Sequence, residues 1–297
     1  DETLRALEGL FEAGVKQLEV GQILEPLYQA AGEWEKLIRV HEAELSAISD
    51  PEERMQMYYR IAEDAEERLT DPVQAFRVYV RALRERPLDE KSGEEIERLA
   101  GAIEGGWEEL ANSYADVMSV EGLDAATLST IGRRLARVCE EELAAVQKAE
   151  ESYRFVLSVA PREPEALANL DRIYSATEQS TELAGILEQR AQIASEEHDK
   201  VELYGRLGQV YESELNRIED AVVAYRRIFD ELEPKNEDAI AALVRIYEGK
   251  EAWVDLKVVY GRQLENAVGD VEEAEIRAKL AHVASDRLGN VEEAIDG

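Results

Sequence analysis

The sequence has few of the residues that cross-link small proteins or take part in catalysis and metal binding. Among 297 residues it has one cysteine, three histidines and seven prolines, and aromatic residues make up 6%. A single cysteine, Cys139, excludes an internal disulfide and fits a reducing compartment, so we expect a cytoplasmic location. No segment approaches the roughly 20 apolar residues that a membrane-spanning helix needs, and we expect no membrane insertion. Scarce proline with abundant Ala, Leu, Glu and Arg predicts helix almost throughout.

Positive charge is also scarce. The chain has 34 basic and 66 acidic residues, which gives a net charge of −32. Such a field repels nucleic acid and anionic membrane surfaces, so we expect neither as a partner. A basic or amphipathic protein segment would be attracted, although acidity also serves plain solubility. Apolar residues make up 45%, enough to bury a core.

An internal repeat decides the fold prediction. Trp34, Trp107 and Trp253 begin similar segments, and Thr181 holds the tryptophan position between the last two. The successive spacings are 73, 74 and 72 residues. A second set of landmarks keeps nearly the same period: Ala75, Ala149, Ala221 and Ala294.

Around these alanines the sequence resembles tetratricopeptide (TPR) repeats. Their pattern is W-x2-L-G-x2-Y followed by Ala, an aromatic residue, a small residue and Pro over about 34 residues. One unit reads Tyr204, Leu207, Gly208, Tyr211, Ala221, Tyr225, Ile228 and Pro234. Two others read Tyr58, Ile61, Ala62, Ala65, Ala75, Tyr79, Ala82, Pro87 and Gly132, Leu135, Ala136, Cys139, Ala149, Tyr153, Val156, Pro161. The fourth is cut short at Arg277, Leu280, Ala281, Ala284 and Ala294. The units depart from the pattern by one additional residue between the helices.

The other half of each period is a second, more divergent helix pair. Its first helix is marked by Leu24/Tyr28, Leu170/Tyr174 and Leu243/Tyr247, and its second begins at the Trp34-type segment. The resemblance implies an all-α fold, a right-handed α-solenoid of stacked antiparallel helix hairpins (a TPR-like superhelix), over residues 1–297. Stacking is needed because one hairpin cannot bury both of its faces alone. We expect double-hairpin units at 31–104, 105–178 and 179–251, with partial units at 252–297 and 1–30.

The final residues fall just inside the second helix of a hairpin. A repeat array normally ends in a polar capping helix. We therefore expect this sequence to be a segment of a longer array, with an apolar stacking face exposed at its C-terminus. The sequence also lacks an initial Met, so a targeting segment could precede it.

Little in the sequence supports catalysis or metal binding. No histidine has a second one four residues away, and neither a calcium loop nor a glycine-rich phosphate motif is present. Cys139 and His41 hold repeat positions that predict packing, whereas His198 and His282 read as solvated surface residues. We expect no enzyme, no metal and no cofactor.

The resemblance also indicates where a partner would bind. In TPR proteins the first helix of each hairpin lines a concave groove that holds extended peptides or a partner helix. The matching positions here are Tyr59, Glu63, Glu66, Arg133, Arg137, Glu140, Gln209, Glu212, His282 and Ser285. The set leans acidic, with Tyr59 as a stacking platform; ordinary solvent-facing residues are the competing interpretation.

Some TPR proteins clamp a terminal carboxylate with Lys and Asn at these positions. This sequence has Tyr59/Glu63, Arg133/Arg137, Gly205/Gln209 and Ala278/His282 instead, which argues against such a clamp. The leading hypothesis is a non-catalytic scaffold that binds a basic or amphipathic protein segment along an acidic concave surface. The alternative is a structural spacer, or a repeat protein that assembles end to end through its C-terminal stacking face.

Overall fold

The computed structural model describes residues 2–287, and within that range the chain forms helices and short connections without a β-strand. The all-α prediction is therefore confirmed. Helix contacts divide the chain into unit 1, Asp1–Pro161, and unit 2, Arg162–Gly297. The predicted landmark Ala294 and the apolar C-terminal stacking face lie outside the described residues. The predicted 73-residue boundaries stay a prediction.

Unit 1 is a series of helices in which each helix packs on the next one along the chain. Short connections fold consecutive helices back into hairpins, as the repeat pattern predicts. Its helices are α1 Glu2–Glu12, α2 Gln17–Ala31, α3 Trp34–Ala47, α4 Pro51–Glu63, α5 Pro72–Glu85, α6 Glu90–Ala100, α7 Gly106–Met118, α8 Ala125–Arg137 and α9 Val146–Val159.

Unit 2 repeats the same arrangement, again with each helix packed on its successor. Its helices are α10 Pro164–Ala176, α11 Ser180–Ile193, α12 Glu197–Gln209, α13 Ile218–Arg227, α14 Glu237–Gly249, α15 Trp253–Asn266 and α16 Asp270–His282. Within each unit the chain is thus an α-solenoid of stacked helix hairpins.

Local signals set the helix ends. The side chain of Asp50 accepts hydrogen bonds from the backbone N–H groups of Glu52 and Glu53, both at 2.9 Å, and Pro51 opens α4. Asp71 caps α5 in the same way, through the N–H of Gln74. Such capping satisfies N–H groups that have no partner within the helix.

The additional residue between the helices of each TPR-like hairpin takes the form of a π-helical turn. These turns continue α4, α8, α12 and α16 over Asp64–Arg68, Val138–Glu142, Val210–Glu214 and Val283–Arg287. A π-helical turn has a wider hydrogen-bonding step than an α-helical one, so it absorbs an inserted residue without breaking the helix. A further π-helical turn, Ile228–Leu232, continues α13.

Small and large residues alternate in the core as the repeat predicts. Ala62 and Ala136 are fully buried, and Tyr79 and Tyr153 are nearly so. At Gly208 the two helices approach closely, because a Cβ atom there would lie 2.6 Å from Cε1 of Tyr225. The small residues therefore let the second helix of the hairpin pack directly on the first.

Candidate functional site

Each unit has its own candidate surface on the first helices of its hairpins: α4, α6 and α8 in unit 1, and α10, α12 and α14 in unit 2. In unit 1 the predicted groove residues are engaged across neighbouring helices. The Glu63 carboxylate of α4 accepts a hydrogen bond from Lys91 of α6 at 2.9 Å. Beyond it, Glu66 accepts one from Arg98 at 2.6 Å.

The third helix of this surface is joined to the second in the same manner. Arg137 of α8 donates to both carboxylate oxygens of Glu97 on α6, at 2.7 Å each. Exposed ion pairs of this kind contribute roughly 0–1 kcal/mol each. Their main consequence is that the charge predicted for the groove in unit 1 is largely compensated within the fold.

Tyr59 is held by three neighbours. Its hydroxyl donates to the Asp89 carboxylate at 2.8 Å, the Lys91 ammonium lies 4.2 Å from its ring centre, and the Tyr79 ring lies 6.4 Å away. Burial, together with the hydrogen bond to Asp89, raises the pKa of Tyr59 to about 12. The hydroxyl therefore stays protonated, and Lys91 covers part of the ring that the sequence suggests as a stacking platform.

In unit 2, grooves lie on both sides of α12. The groove between α12 and α14 has a volume of about 550 Å³, and the one between α10 and α12 about 510 Å³. Two α12 side chains, Arg206 and Gln209, line both grooves, and the predicted residue Glu212 lines the first. Volumes in this range are typical of ligand-binding clefts.

The two grooves carry more acidic than basic side chains. Their acidic residues are Glu202, Glu212 and Asp238 in the first groove and Glu178 and Glu214 in the second. Their basic residues are Arg206 and Arg245. Both arginines are ion-paired inside the unit, Arg206 to Asp171 and Arg245 to Glu212. With both arginines neutralised in this way, the lining of the two grooves carries a net negative charge.

Asp171 on α10 is a residue that sequence analysis missed. Only 3% of it is exposed, and it accepts hydrogen bonds from Arg206 at 2.6 and 2.9 Å and from Arg190. Burial by itself would raise the pKa of Asp171, but the hydrogen bonds and charges of the two arginines outweigh it and hold the pKa below its ordinary value. The repeat pattern could have pointed to Asp171, because an acidic residue follows the marker leucine in two periods: Glu25 follows Leu24, and Asp171 follows Leu170.

The remaining predicted site residues belong to α8, α16 and their π-helical turns. Arg133 and Glu140 are half-buried, as is Ser285, and His282 is exposed. Each of the four has an interaction partner in the fold. The predicted set is therefore spread over both units, and only Gln209 and Glu212 line the grooves beside α12.

The residues expected to pack do so. Cys139 is 1% exposed, and burial raises the pKa of its thiol. His41 is fully buried, with Nδ1 3.4 Å from Asp64 and Nε2 3.6 Å from Glu25. Burial, helped by the charge of Arg60, lowers the pKa of His41.

Over residues 2–287 no cluster of three or more His, Cys, Asp or Glu side chains has a geometry that could hold a metal ion. None of the helices in the same range combines the length and apolar character needed to span a membrane.

Comparison with known proteins relates the chain to helical repeats. The tetratricopeptide repeat family matches residues 23–55, which cover most of α2 and all of α3. That hairpin is one of those that the sequence pattern marks as more divergent. No curated protein matches the sequence.

Three solved structures match the chain at low sequence identity and low TM-score. A tetratricopeptide repeat protein from Parabacteroides merdae ATCC 43184 is 14% identical, with 81% of this chain and 93% of that chain covered and a TM-score of 0.34. BtubC (BKLC) from P. vanneervenii is 17% identical, with coverages of 84% and 88% and a TM-score of 0.33. Acl4, an assembly chaperone of RpL4 (residues 1–338), is 14% identical, with coverages of 85% and 97% and a TM-score of 0.27.

At these identities and TM-scores the likeness carries no inference about partners. The family match, the repeated landmarks and the stacked hairpins agree on the architecture. The chain is a TPR-like helical repeat protein.

Proposed function

We propose that the chain is a non-catalytic scaffold that binds a basic segment of a partner protein along the first-helix surface of unit 2. The observation that carries this proposal is the charge of the two grooves beside α12. Of the five acidic side chains that line them, Glu212 is paired with Arg245, and Arg206 is paired with Asp171. The four that form no ion pair among the described residues are Glu178, Glu202, Glu214 and Asp238. Lysine or arginine side chains of a partner would therefore meet acceptors without having to displace a basic neighbour.

The family also supports a binding role. Tetratricopeptide repeats generally mediate contacts between proteins and are typically non-catalytic. Complementary charge contributes mainly to the rate of association and to specificity, and its effect weakens as salt screens the charges. A groove that recognises a segment in this way releases it when the ionic strength rises.

The other predicted groove residues have a supporting role in this proposal. Glu63, Glu66 and Arg137 stay in their ion pairs and fix the spacing of α4, α6 and α8. A cytoplasmic location, which the single Cys139 suggests, belongs to the same proposal. Fractionation of cells that express the protein tests that location.

A labelled peptide with four lysines and no aromatic residue tests the charge argument. Fluorescence anisotropy should show binding at low salt that weakens about fivefold or more at high salt. A groove variant carrying Glu202→Gln, Glu214→Gln and Asp238→Asn should bind about fivefold more weakly than the wild type.

The matched control removes the same amount of charge elsewhere in unit 2. It carries Glu248→Gln, Asp255→Asn and Glu265→Gln, all at exposed positions on α14 and α15 that line neither groove. Its affinity should stay within about twofold of the wild type. Equal losses in both variants, or no binding at low salt, would overturn the proposal.

A further inference from the structure

The groove between α12 and α14 lies at a repeat position where the side chain is missing. Tyr58, Ile61 and Ala62 of α4 match Tyr204, Leu207 and Gly208 of α12, so Tyr59 and Gly205 hold equivalent positions. A Cβ atom at Gly205 would meet one atom within 4 Å, Cδ1 of Ile228 at 4.0 Å. The tyrosine that is packed between α4 and α6 in unit 1 is thus replaced by open space in unit 2.

The surroundings of the missing ring are nevertheless retained. Tyr79, which faces the Tyr59 ring, corresponds to Tyr225, and Tyr225 lines the groove. The ion pair of Glu66 with Arg98 corresponds to that of Glu212 with Arg245, where two N–H groups of the guanidinium reach the carboxylate.

The hydrogen-bond partner of the tyrosine hydroxyl also has a counterpart. Asp89 caps α6 through the N–H of Ser92, and Asn236 caps α14 through the N–H of Ala239 at 2.9 Å. Asn236 is one residue further from Gly205 than Asp89 is from Tyr59, and the π-helical turn Ile228–Leu232 takes up the extra residue. Asn236 lines the groove, and its amide nitrogen donates to Glu233 at 2.9 Å. Its Oδ1 accepts from the N–H of Ala239 and has a second lone pair that a hydroxyl can use.

One residue beside this position carries the opposite charge in unit 2. Lys91, whose ammonium lies over the Tyr59 ring, corresponds to Asp238. Within residues 2–287 Asp238 has no ion-pair partner, and it lines the groove. A ring that enters from outside would therefore be favoured when a cationic residue accompanies it.

We infer that the α12–α14 groove is a pocket for the tyrosine side chain of a bound basic segment, seated where Tyr59 lies in unit 1. This inference rests on the proposed function and specifies the side chain that the surface selects. The ring lies beside Tyr225 over Gly205 and Ala239, its hydroxyl hydrogen-bonds to Asn236, and the neighbouring cation faces Asp238. Offset or edge-to-face contact between two such rings is a favourable arrangement.

Amide chemical shifts of isotope-labelled protein test the pocket, with N-acetyl-tyrosinamide as the probe. Titration should move the signals of Gly205, Asn236 and Ala239. Gly205→Tyr should fill the pocket from within and weaken binding about tenfold or more. Its thermal midpoint should equal or exceed that of the wild type, because glycine is a poor helix former, and this shows that the variant folds.

The control is Gly185→Tyr on α11, where a Cβ atom would have no neighbour within 4 Å. This variant should bind the probe within about twofold of the wild type. Asn236→Asp retains a capping oxygen and reproduces the Asp89 arrangement, so it should increase the preference for N-acetyl-tyrosinamide over N-acetyl-phenylalaninamide.

The two proposals can fail separately. If the tetralysine peptide binds but N-acetyl-tyrosinamide moves no signal near Gly205, or binds Gly205→Tyr as well as the wild type, the pocket is refuted and the scaffold proposal stands. If N-acetyl-tyrosinamide binds as expected but the peptide does not bind, the pocket is supported and the charge-driven scaffold is refuted.

Discussion

Arg206 on α12 donates two hydrogen bonds to the buried carboxylate of Asp171 on α10, at 2.6 and 2.9 Å. Arg190 on α11 donates to the same carboxylate. One acidic side chain thus joins its own hairpin to the first helix of the next. The pairing also removes Arg206 from the set of basic groups that would repel a basic partner.

Replacement of Asp171 should weaken this junction. Asp171→Ala should lower the free energy of unfolding by about 2 kcal/mol, because hydrogen bonds to charged groups are lost while the two arginines are exposed enough to be hydrated. Hydrogen exchange of α10 and α12 amides would report the loss locally. Asp255→Ala, at an exposed site on α15, should change stability by less than about 0.5 kcal/mol. An equal effect of the two variants would contradict the role of Asp171.

The same junction should make the free energy of unfolding decrease at acidic pH. The folded-state pKa of Asp171 is below its ordinary value. Its contribution is therefore fully present above the unfolded-state pKa, near 4, and is lost as the pH falls through the lower folded-state pKa. Urea unfolding of wild type and Asp171→Ala at successive acidic pH values should give stability curves that converge. A gap that stays constant down to the lowest pH would contradict this assignment.

His41 should contribute acid sensitivity at higher pH. Burial and Arg60 hold its folded-state pKa below its ordinary value of 6.5, against the opposing charges of Asp64 and Glu25. As the pH falls below about 6.5, the unfolded chain binds a proton that the folded chain does not, so stability decreases until the folded-state pKa is reached.

The repeat supplies the variant that tests this effect. Tyr114 and Tyr260 hold the position of His41 and are buried, so His41→Tyr should retain packing and remove the titration. Between about pH 7 and pH 5.5 its stability should change less than that of the wild type, by denaturant midpoint. His198→Gln, at an exposed site, should keep the wild-type slope. An unchanged slope in His41→Tyr would show that another group is responsible.

Substitution by alanine should have opposite effects on stability at two glycines, because only one of them lies where two helices pack closely. Gly208→Ala places a Cβ atom 2.6 Å from the Tyr225 ring, and the overpacking should exceed the gain in helix propensity and cost about 1 kcal/mol net. Gly185→Ala adds the same atom in open space and should stabilise by about 0.5–1 kcal/mol. Equilibrium unfolding checks both, and a stabilised Gly208→Ala would mean that α12 and α13 separate easily.

The turn after the π-helical segment Val138–Glu142 provides a further test. Ala144 adopts a left-handed backbone with φ of 50°. Glycine avoids the cost of that conformation but adds entropy to the unfolded chain, so Ala144→Gly should stabilise by about 0.5 kcal/mol. Ala115→Gly, at an exposed position within α7, should destabilise by about 1 kcal/mol. The same sign of change in both variants would contradict the backbone argument.

The sequence predicted the helix pairs well because spacing and residue size determine their packing. Gly208 and Tyr225 could both be placed from the repeat pattern. The additional residue was visible as a departure from the family pattern, but its π-helical form was not, since that depends on how α4 and its equivalents meet the next helix.

The site was harder to predict for a physical reason. The partner of a predicted groove charge can lie far along the chain on another helix, and Glu63 and Lys91 are 28 positions apart. Gly205 was noted as one member of a clamp position. That it opens a groove depends on Tyr225, Asn236 and Ala239, which only the folded chain brings together.

Selection of random peptides on the immobilised protein would show which side chains the α12 surface prefers. We predict that peptides retained at low salt carry a net positive charge and a tyrosine next to Lys or Arg. The Gly205→Tyr protein should lose the tyrosine preference and keep the charge preference. Retained peptides that are acidic, or that show the same residue preferences on a variant neutralised at Glu202, Glu214 and Asp238, would contradict this prediction.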